Sequence, residues 1–284
     1  LTIEAKLHRR LDRLGREHGA TTFMVIQAAL ALLLRRLGSG TDIPLGTIVS
    51  GREEAALADL IGLFANTLVL RTDVSGDPTF VELLERVRET DLGAFDHQDV
   101  PFDAVVEELQ PQREPGLHPL FQVALTVMAE EQEISWDLGS WGTRVVDRDT
   151  RFARFDLAVA LNERRRDGRP MGLTGVIEYS TELFAAAELG ERLKAVLVQV
   201  AKAPDDRLSD IEVTLPDEER WLRDSGAAVT APMTLPEVFA RQVRAADPER
   251  PAVVCAGRSL SFAELDTRSA QWARLLTERG VGRE

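Results

Sequence analysis

The chain has 284 residues, enough for one large domain or two smaller ones, and its 44% apolar content is that of a packed globular protein rather than a disordered one. A net charge of -13 and a pI near 4.9 leave no surplus of Lys and Arg to track a phosphate backbone, which excludes a nucleic-acid footprint. The one cysteine, Cys255, cannot close an internal disulfide, and no Cys/His grouping has metal-ligand spacing, so a reducing cytoplasm is the expected compartment.

In chain order, Leu7, Leu11 and Leu14 share one face of a helix expected over 4–18, with Gly19 as its stop. Thr21 or Thr22 then caps a second helix carrying Phe23, Ile26, Leu30, Leu33 and Leu34. Its run "TTFMVIQAALALLL" is too short and too interrupted by Gln27 to cross a bilayer, and reads as buried. The first methionine is Met24 and no basic-then-apolar leader precedes it, so residue 1 is expected to lie inside a longer natural chain. "DIPLGTIVSGR" and "NTLVLRTDV" read as strands on either side of the short apolar segment "LADLIGLF". Asp77 as N-cap and Pro78 at the first position predict a helix with Phe80, Leu83, Leu84 and Val87 inward. After the loop "LQPQREPGLHPL" come the strands "FQVALTVM", "FDLAVAL" and "LTGVIEYS", the first two separated by an acidic, Trp-bearing stretch. A helix with Leu189, Leu193, Val196 and Val200 follows, and then a polar loop. From residue 233 the texture changes. Two capping boxes, Thr234 with Glu237 and Ser261 with Glu264, flank a hairpin turning at Ala256-Gly257. Helices mixed with several non-adjacent strands predict a layered α/β architecture.

Local chemistry is sparse. His97 with Asp99 in "GAFDHQDVPFD" suggests a base and its orienter, but neighbouring side chains in an extended loop point apart, and a structural role is the expected one. His8 and His18 on the first helix are expected to be solvated or capping, and His118 structural. "VSGRE" reads as a tight turn, and Cys255 as a small hydrophobe buried in a strand. There is no GxSxG elbow, P-loop or HExxH pattern.

Three segments nevertheless match, in order, a known set. "LIGLFANTLVLR" (60–71) resembles the fifth core motif of nonribosomal peptide synthetase condensation domains, IGxFVNTxxxR, with Ile61, Gly62, Phe64, Asn66, Thr67 and Arg71 in register and Ala65 replacing Val. "HQDVPFD" (97–103) is similar to the sixth, HQDxPFE, through His97, Gln98, Asp99, Pro101 and Phe102. "REPGLHPL" (113–120) resembles the seventh, RDxSRNPL, keeping Arg113, Pro119 and Leu120 but losing its Ser-Arg-Asn centre. "FDLAVAL" and "GVIEYSTELF" resemble the closing strands of that domain, and the stretch from "LPEVFARQ" onward, with "LSFAEL" at 260–265, resembles the opening of an adenylation domain.

The resemblance implies a chloramphenicol-acetyltransferase-like lobe, a mixed sheet flanked by helices, followed by a small truncated α/β segment. It implies three parts: the C-terminal lobe of a condensation domain (1–213), a linker (214–232) and an adenylation-domain fragment (233–284). In this family two such lobes form a V, carrier-borne thioesters enter from opposite ends of a tunnel, and the acceptor amine attacks the donor thioester. The HHxxxDG motif that serves this attack belongs to the first lobe, and no two histidines are adjacent here. The resemblance therefore implies that the twelve motif residues Gly62 to Pro119 are structural or tunnel-lining, that none is catalytic, and that the chain is inactive alone. It further implies no cofactor or metal of the chain's own. Substrates arrive on 4'-phosphopantetheine, and ATP and Mg serve only a complete adenylation domain. The implied partners are the N-terminal condensation lobe, donor and acceptor peptidyl carrier proteins and the rest of the adenylation domain. A non-catalytic, partner-recruiting module and an epimerisation or heterocyclisation relative are the alternatives.

Overall fold

The computed structural model describes residues 1–52, 55–57, 59–113, 116–129, 152–183, 188–225, 234–245, 247–255 and 257–281. The acidic, Trp-bearing stretch, Phe184 of "GVIEYSTELF", residues 226–232 of the expected linker and Ala256 of the expected hairpin turn lie outside the described residues. Two compact units divide at Glu218 and Glu219.

The first unit is a six-stranded mixed sheet in the order β1-β6-β5-β4-β2-β3. Its strands are β1 (Thr2–Glu4), β2 (Asp42–Val49), β3 (Asn66–Asp73), β4 (Val123–Ala129), β5 (Leu157–Arg166) and β6 (Arg169–Tyr179). β4 runs parallel to β2 and β5, and the remaining pairs are antiparallel. Alternation assigns the faces: Leu157, Val159 and Leu161 of β5 are buried while Ala158 and Ala160 between them are only half-buried. The buried set joins Leu45, Leu125 and Leu173 in one core with the helices α1 (Ala5–Glu17), α2 (Thr22–Arg36), α3 (Phe80–Phe95) and α5 (Glu188–Val200).

α2 is the centre of that core. Every residue from Met24 to Leu34 is buried, as expected of a helix apolar all round, and Thr21 is its N-cap, accepting from Met24 N–H at 3.2 Å. No single helix among the described residues is long and apolar enough to cross a membrane.

Several expectations give way. α3 is capped by Thr79, not Asp77: Thr79 and Glu82 exchange side-chain-to-backbone bonds at 3.2 and 2.8 Å, so the box three residues apart wins over the Asp-Pro pair. Asp77 instead takes a positive φ of 50° and binds Ser209 through its backbone N–H at 2.8 Å and its hydroxyl at 2.9 Å. β1 and a short helix α4 (Phe102–Leu109) were not anticipated. The polar stretch after α5 also carries order, a 3-10 turn (Leu208–Asp210) and the helix α6 (Pro216–Ser225). It is fastened to the lobe: Arg192 of α5 donates to Val213 O at 3.0 Å and pairs with Glu218, while Gln199 exchanges bonds with the Glu212 backbone at 2.6 and 3.0 Å.

The second unit holds α7 (Leu235–Ala245), the antiparallel pair β7 (Pro251–Cys255) and β8 (Arg258–Ser261), and α8 (Phe262–Glu278). Both capping boxes form, Ser261 with Glu264 at 3.0 and 3.2 Å and Thr234 with Glu237 at 2.7 and 3.4 Å. Cys255 is exposed, contrary to the buried role its apolar neighbours suggested, and no described residue of α7 or α8 is buried.

Candidate functional site

The three motif segments meet at the β3 edge of the sheet, and Asn66 is the residue that joins two of them. At the first position of β3, its Nδ2 donates to the carbonyls of Gln98 at 2.9 Å and Val100 at 2.7 Å, while its Oδ1 accepts from Phe102 N–H at 3.0 Å. Only a carboxamide can both donate twice and accept at one position, which fits a loop that offers two carbonyls and one N–H. The loop between α3 and α4 is thereby held at three points. It is also wound, not extended: the N–H groups of His97 and Gln98 reach back to Ala94 O and Phe95 O, both at 3.2 Å.

Within this loop the exposed His97 has its Nδ1 on Gly93 O at 2.9 Å, so that nitrogen carries the proton and braces the turn after α3. Asp99 and Pro101 are exposed and Gln98 is half-buried. Phe102 opens α4 and turns its ring toward the seventh-motif segment, 5.3 Å from the His118 ring and 6.2 Å from Phe121. His118 lies 3.9 Å from Phe121, and Phe155 at the foot of β5 completes the cluster. Phe121 needs a glycine beneath it, because a Cβ at Gly46 on β2 would overlap its ring. Burial pushes the His118 imidazole below its usual range against an opposing hydrogen bond with Phe121, so His118 is neutral at pH 7, and its Nδ1 is buried without a partner among the described residues. Pro119 is half-buried beside this cluster in the sequence, whereas Arg113 is exposed near the end of α4.

The fifth-motif loop is built differently. Arg52 donates to Leu57 O and, at 3.1 Å, to Gly62 O, and its guanidinium lies 4.3 Å from the centroid of the Phe64 ring. Gly51, at a φ of 61°, lets the backbone of Phe64 approach where a Cβ would collide. The loop is thus closed on its own arginine, and Ile61 and Leu63 are left fully exposed at its tip. Thr67 is half-buried on β3, and Arg71 pairs with Asp42 across β2 at the far end of the strand. The structure therefore gathers Asn66, the 97–102 loop and Phe102 into one cluster, sets Gly62 and Phe64 in the adjoining Arg52 loop, and leaves Arg71 and Arg113 apart.

A second polar cluster lies away from these motifs. His8 is completely buried, contrary to the solvated role expected on α1; its Nδ1 accepts from Gly172 N–H at 3.0 Å, so its Nε2–H donates to Glu163 at 2.7 Å. Burial pushes Glu163 up, but hydrogen bonds from Arg165 and His8 outweigh it and hold the carboxyl below its usual range. Arg165 bridges Glu163 and Asp12 at 2.7 and 2.6 Å, which ties α1 to β5.

The six-stranded mixed sheet flanked by helices has the chloramphenicol-acetyltransferase-like fold of the condensation-domain structures it is similar to. A family model described as condensation domain matches residues 1–222, and the chain belongs to that family. It is 43% identical over 297 residues to a dimodular nonribosomal peptide synthase of Bacillus subtilis (strain 168), and 40% identical over 288 residues to an isonitrile lipopeptide synthase of Mycobacterium tuberculosis. Those matches cover 99% and 98% of this chain but only 12% and 11% of the relatives. Among solved structures it is similar to the X-domain from teicoplanin biosynthesis in complex with OxyB, with 40% identity and a TM-score of 0.70 over 76% of this chain and 48% of that one. A four-domain nonribosomal peptide synthetase, holo-AB3403, shares the fold at 21% identity and a TM-score of 0.67, covering 100% of this chain and 22% of its own.

Proposed function

We propose that residues 1–213 are the C-terminal lobe of a condensation domain in a nonribosomal peptide synthetase elongation module, with 214–232 as linker and 233–284 as the opening of an adenylation domain. The observation that carries the reading is the Asn66 clamp: the fifth and sixth motifs of the resemblance are one hydrogen-bonded unit, with the aromatic part of the seventh packed against it. In this reading the lobe walls one side of the tunnel and receives the acceptor carrier. The acceptor amine forms the new C–N bond at the donor thioester carbonyl, and the donor pantetheine leaves as a thiol, taking up the proton that the amine loses. In this reading His97 spends its Nδ1–H on Gly93 O as a brace for the turn, and His118 is walled by phenylalanines. Proton handling is assigned to the partner lobe, and the chain alone is inactive. The substrates come on 4'-phosphopantetheine of peptidyl carrier proteins in a reducing cytoplasm, and the chain itself binds no cofactor; ATP and Mg belong to a complete adenylation domain.

The test joins this chain to an N-terminal condensation lobe bearing HHxxxDG and follows amide formation between two loaded carriers by mass spectrometry. Product from the joined protein and none from the chain alone is the expected result; activity of the chain alone refutes the division of labour. A second reading, a non-catalytic module that recruits a partner enzyme, is favoured by the 40% identity to an X-domain solved in complex with OxyB. That reading gains if the joined protein binds carriers yet forms no amide.

A further inference from the structure

Asp91 is a fully buried carboxyl on α3, at the seam with α2 and β3, and the candidate site makes no use of it. Its Oδ1 accepts from Gln27 Nε2 at 2.9 Å, and the same amide nitrogen donates to Thr72 Oγ1 at 3.3 Å, which uses both amide hydrogens. Two oxygens remain buried without a partner among the described residues, Asp91 Oδ2 and Gln27 Oε1. Both are acceptors. An ionised Asp91 would hold its charge out of water with one oxygen bare, beside an amide oxygen equally bare, and each such deficit is costly.

Among the described residues no cation answers that charge. On α3, Arg88 donates to Gly19 O and Arg86 to the carbonyls of Asp73 and Ser75. On β3, Arg71 is paired with Asp42 and Asp73 with Arg86. On α2 the cations are the exposed Arg35 and Arg36 of its last turn, the latter bound to Leu208 and Ser209 carbonyls. The other charged groups of α3 and its C-cap are the acids Glu82, Glu85, Glu89 and Asp96, and His97 beyond them faces Gly93 O. One proton on Oδ2 would turn it from a bare acceptor into a donor, and Gln27 Oε1 is the orphan acceptor on its own hydrogen-bond partner.

We propose that Asp91 is kept as a neutral carboxylic acid that donates to Gln27 Oε1, closing an acid–carboxamide ring that fastens α3 to α2 and makes this seam pH-sensitive. Burial pushes the Asp91 carboxyl up to about 7, against a smaller opposing pull from the Gln27 hydrogen bond. An aspartate in an unfolded chain loses its proton near pH ~3.9. Between that pH and about 7 the folded chain holds a proton that the unfolded chain has lost, so stability falls as pH rises through this window and is level above it. The seam bears directly on the candidate site: α3 runs from Asp91 into the turn that holds His97, and Thr72 shares its strand with Asn66.

The test is a titration of the Asp91 Cγ resonance by NMR in the full chain, with thermal unfolding of the wild type and Asp91→Asn at pH 5 and pH 8. The expected midpoint is near neutrality. Asp91→Asn supplies the same donor and acceptor with no proton to lose, so it should unfold at a higher temperature than the wild type at pH 8 and lose the advantage toward pH 5. A Cγ midpoint at or below the ordinary aspartate range of about 4 overturns the proposal. So does an Asp91→Asn protein that keeps the full wild-type fall in melting temperature between the two pH values. If Asp91→Asn does not fold, the wild-type midpoint decides alone.

Discussion

Asn66 makes three hydrogen bonds with one side chain, and all three end on the backbone of a single loop. Removing them by Asn66→Ala leaves two carbonyls and one N–H to find water, which is expected to cost about 1–3 kcal/mol and to speed hydrogen exchange across residues 97–102. Asn66→Asp keeps the acceptor for Phe102 N–H but sets a carboxylate against two carbonyls, so it should destabilise at least as much as Asn66→Ala. Denaturant titration and exchange mass spectrometry read both. The motif pattern pointed to Asn66, His97 and Phe102 as residues of interest, yet it gave no hint that Asn66 grips the loop. Arg52 was less legible still. Its partners are the carbonyls of Leu57 and Gly62 and one aromatic face, and backbone carbonyls leave no trace in a sequence. His8 misled for a related reason: the Gly172 N–H and Glu163 that satisfy it lie more than 150 residues away, so its burial could not be read from the helix that carries it.

At the scale of elements, α2 is the part that sequence made plainest. Its apolar residues surround the whole circumference, and a helix of that kind has nowhere to go but the core. Leu30 is completely buried there, and Leu30→Ala should cost about 2–5 kcal/mol in chemical denaturation with the m-value unchanged. A loss under 1 kcal/mol would mean that α2 is not the packing centre described. β2 to β6 were legible as apolar runs of strand length bounded by turn residues. β1 and α4 were not. β1 has three residues and draws its place from β6, and α4 has eight, with Val106 as its one buried side chain. The start of α3 shows how local signals compete: Asp77-Pro78 and Thr79 with Glu82 both spell an N-terminus, and the reciprocal box decides it.

For the whole molecule, the chain divides into two compact units between Glu218 and Glu219, fourteen residues before the change of texture read near residue 233. The sheet order was not legible, since β2 lies between β3 and β4, and β4 joins β5 in parallel, only through tertiary contacts among distant segments. The function proposed for this unit rests on the resemblance and not on local chemistry, because what the motif residues form on the page is a hydrogen-bonded brace around Asn66. The chain spans about a tenth of the curated relatives it matches and 48% of the X-domain chain, so the activity proposed for it is that of a larger assembly.

The most direct measurement is the pH dependence of amide formation by the joined condensation domain, compared with the same protein carrying His97→Asn. If His97 braces a turn through Gly93 O, the variant should stay within about tenfold of the parent and keep the shape of its pH profile, because general-base removal typically costs ~10²–10⁴-fold and takes a limb of that profile with it. A loss in that larger range, with the limb gone, would make His97 a proton-transfer residue and contradict the account of this lobe as a wall and a brace.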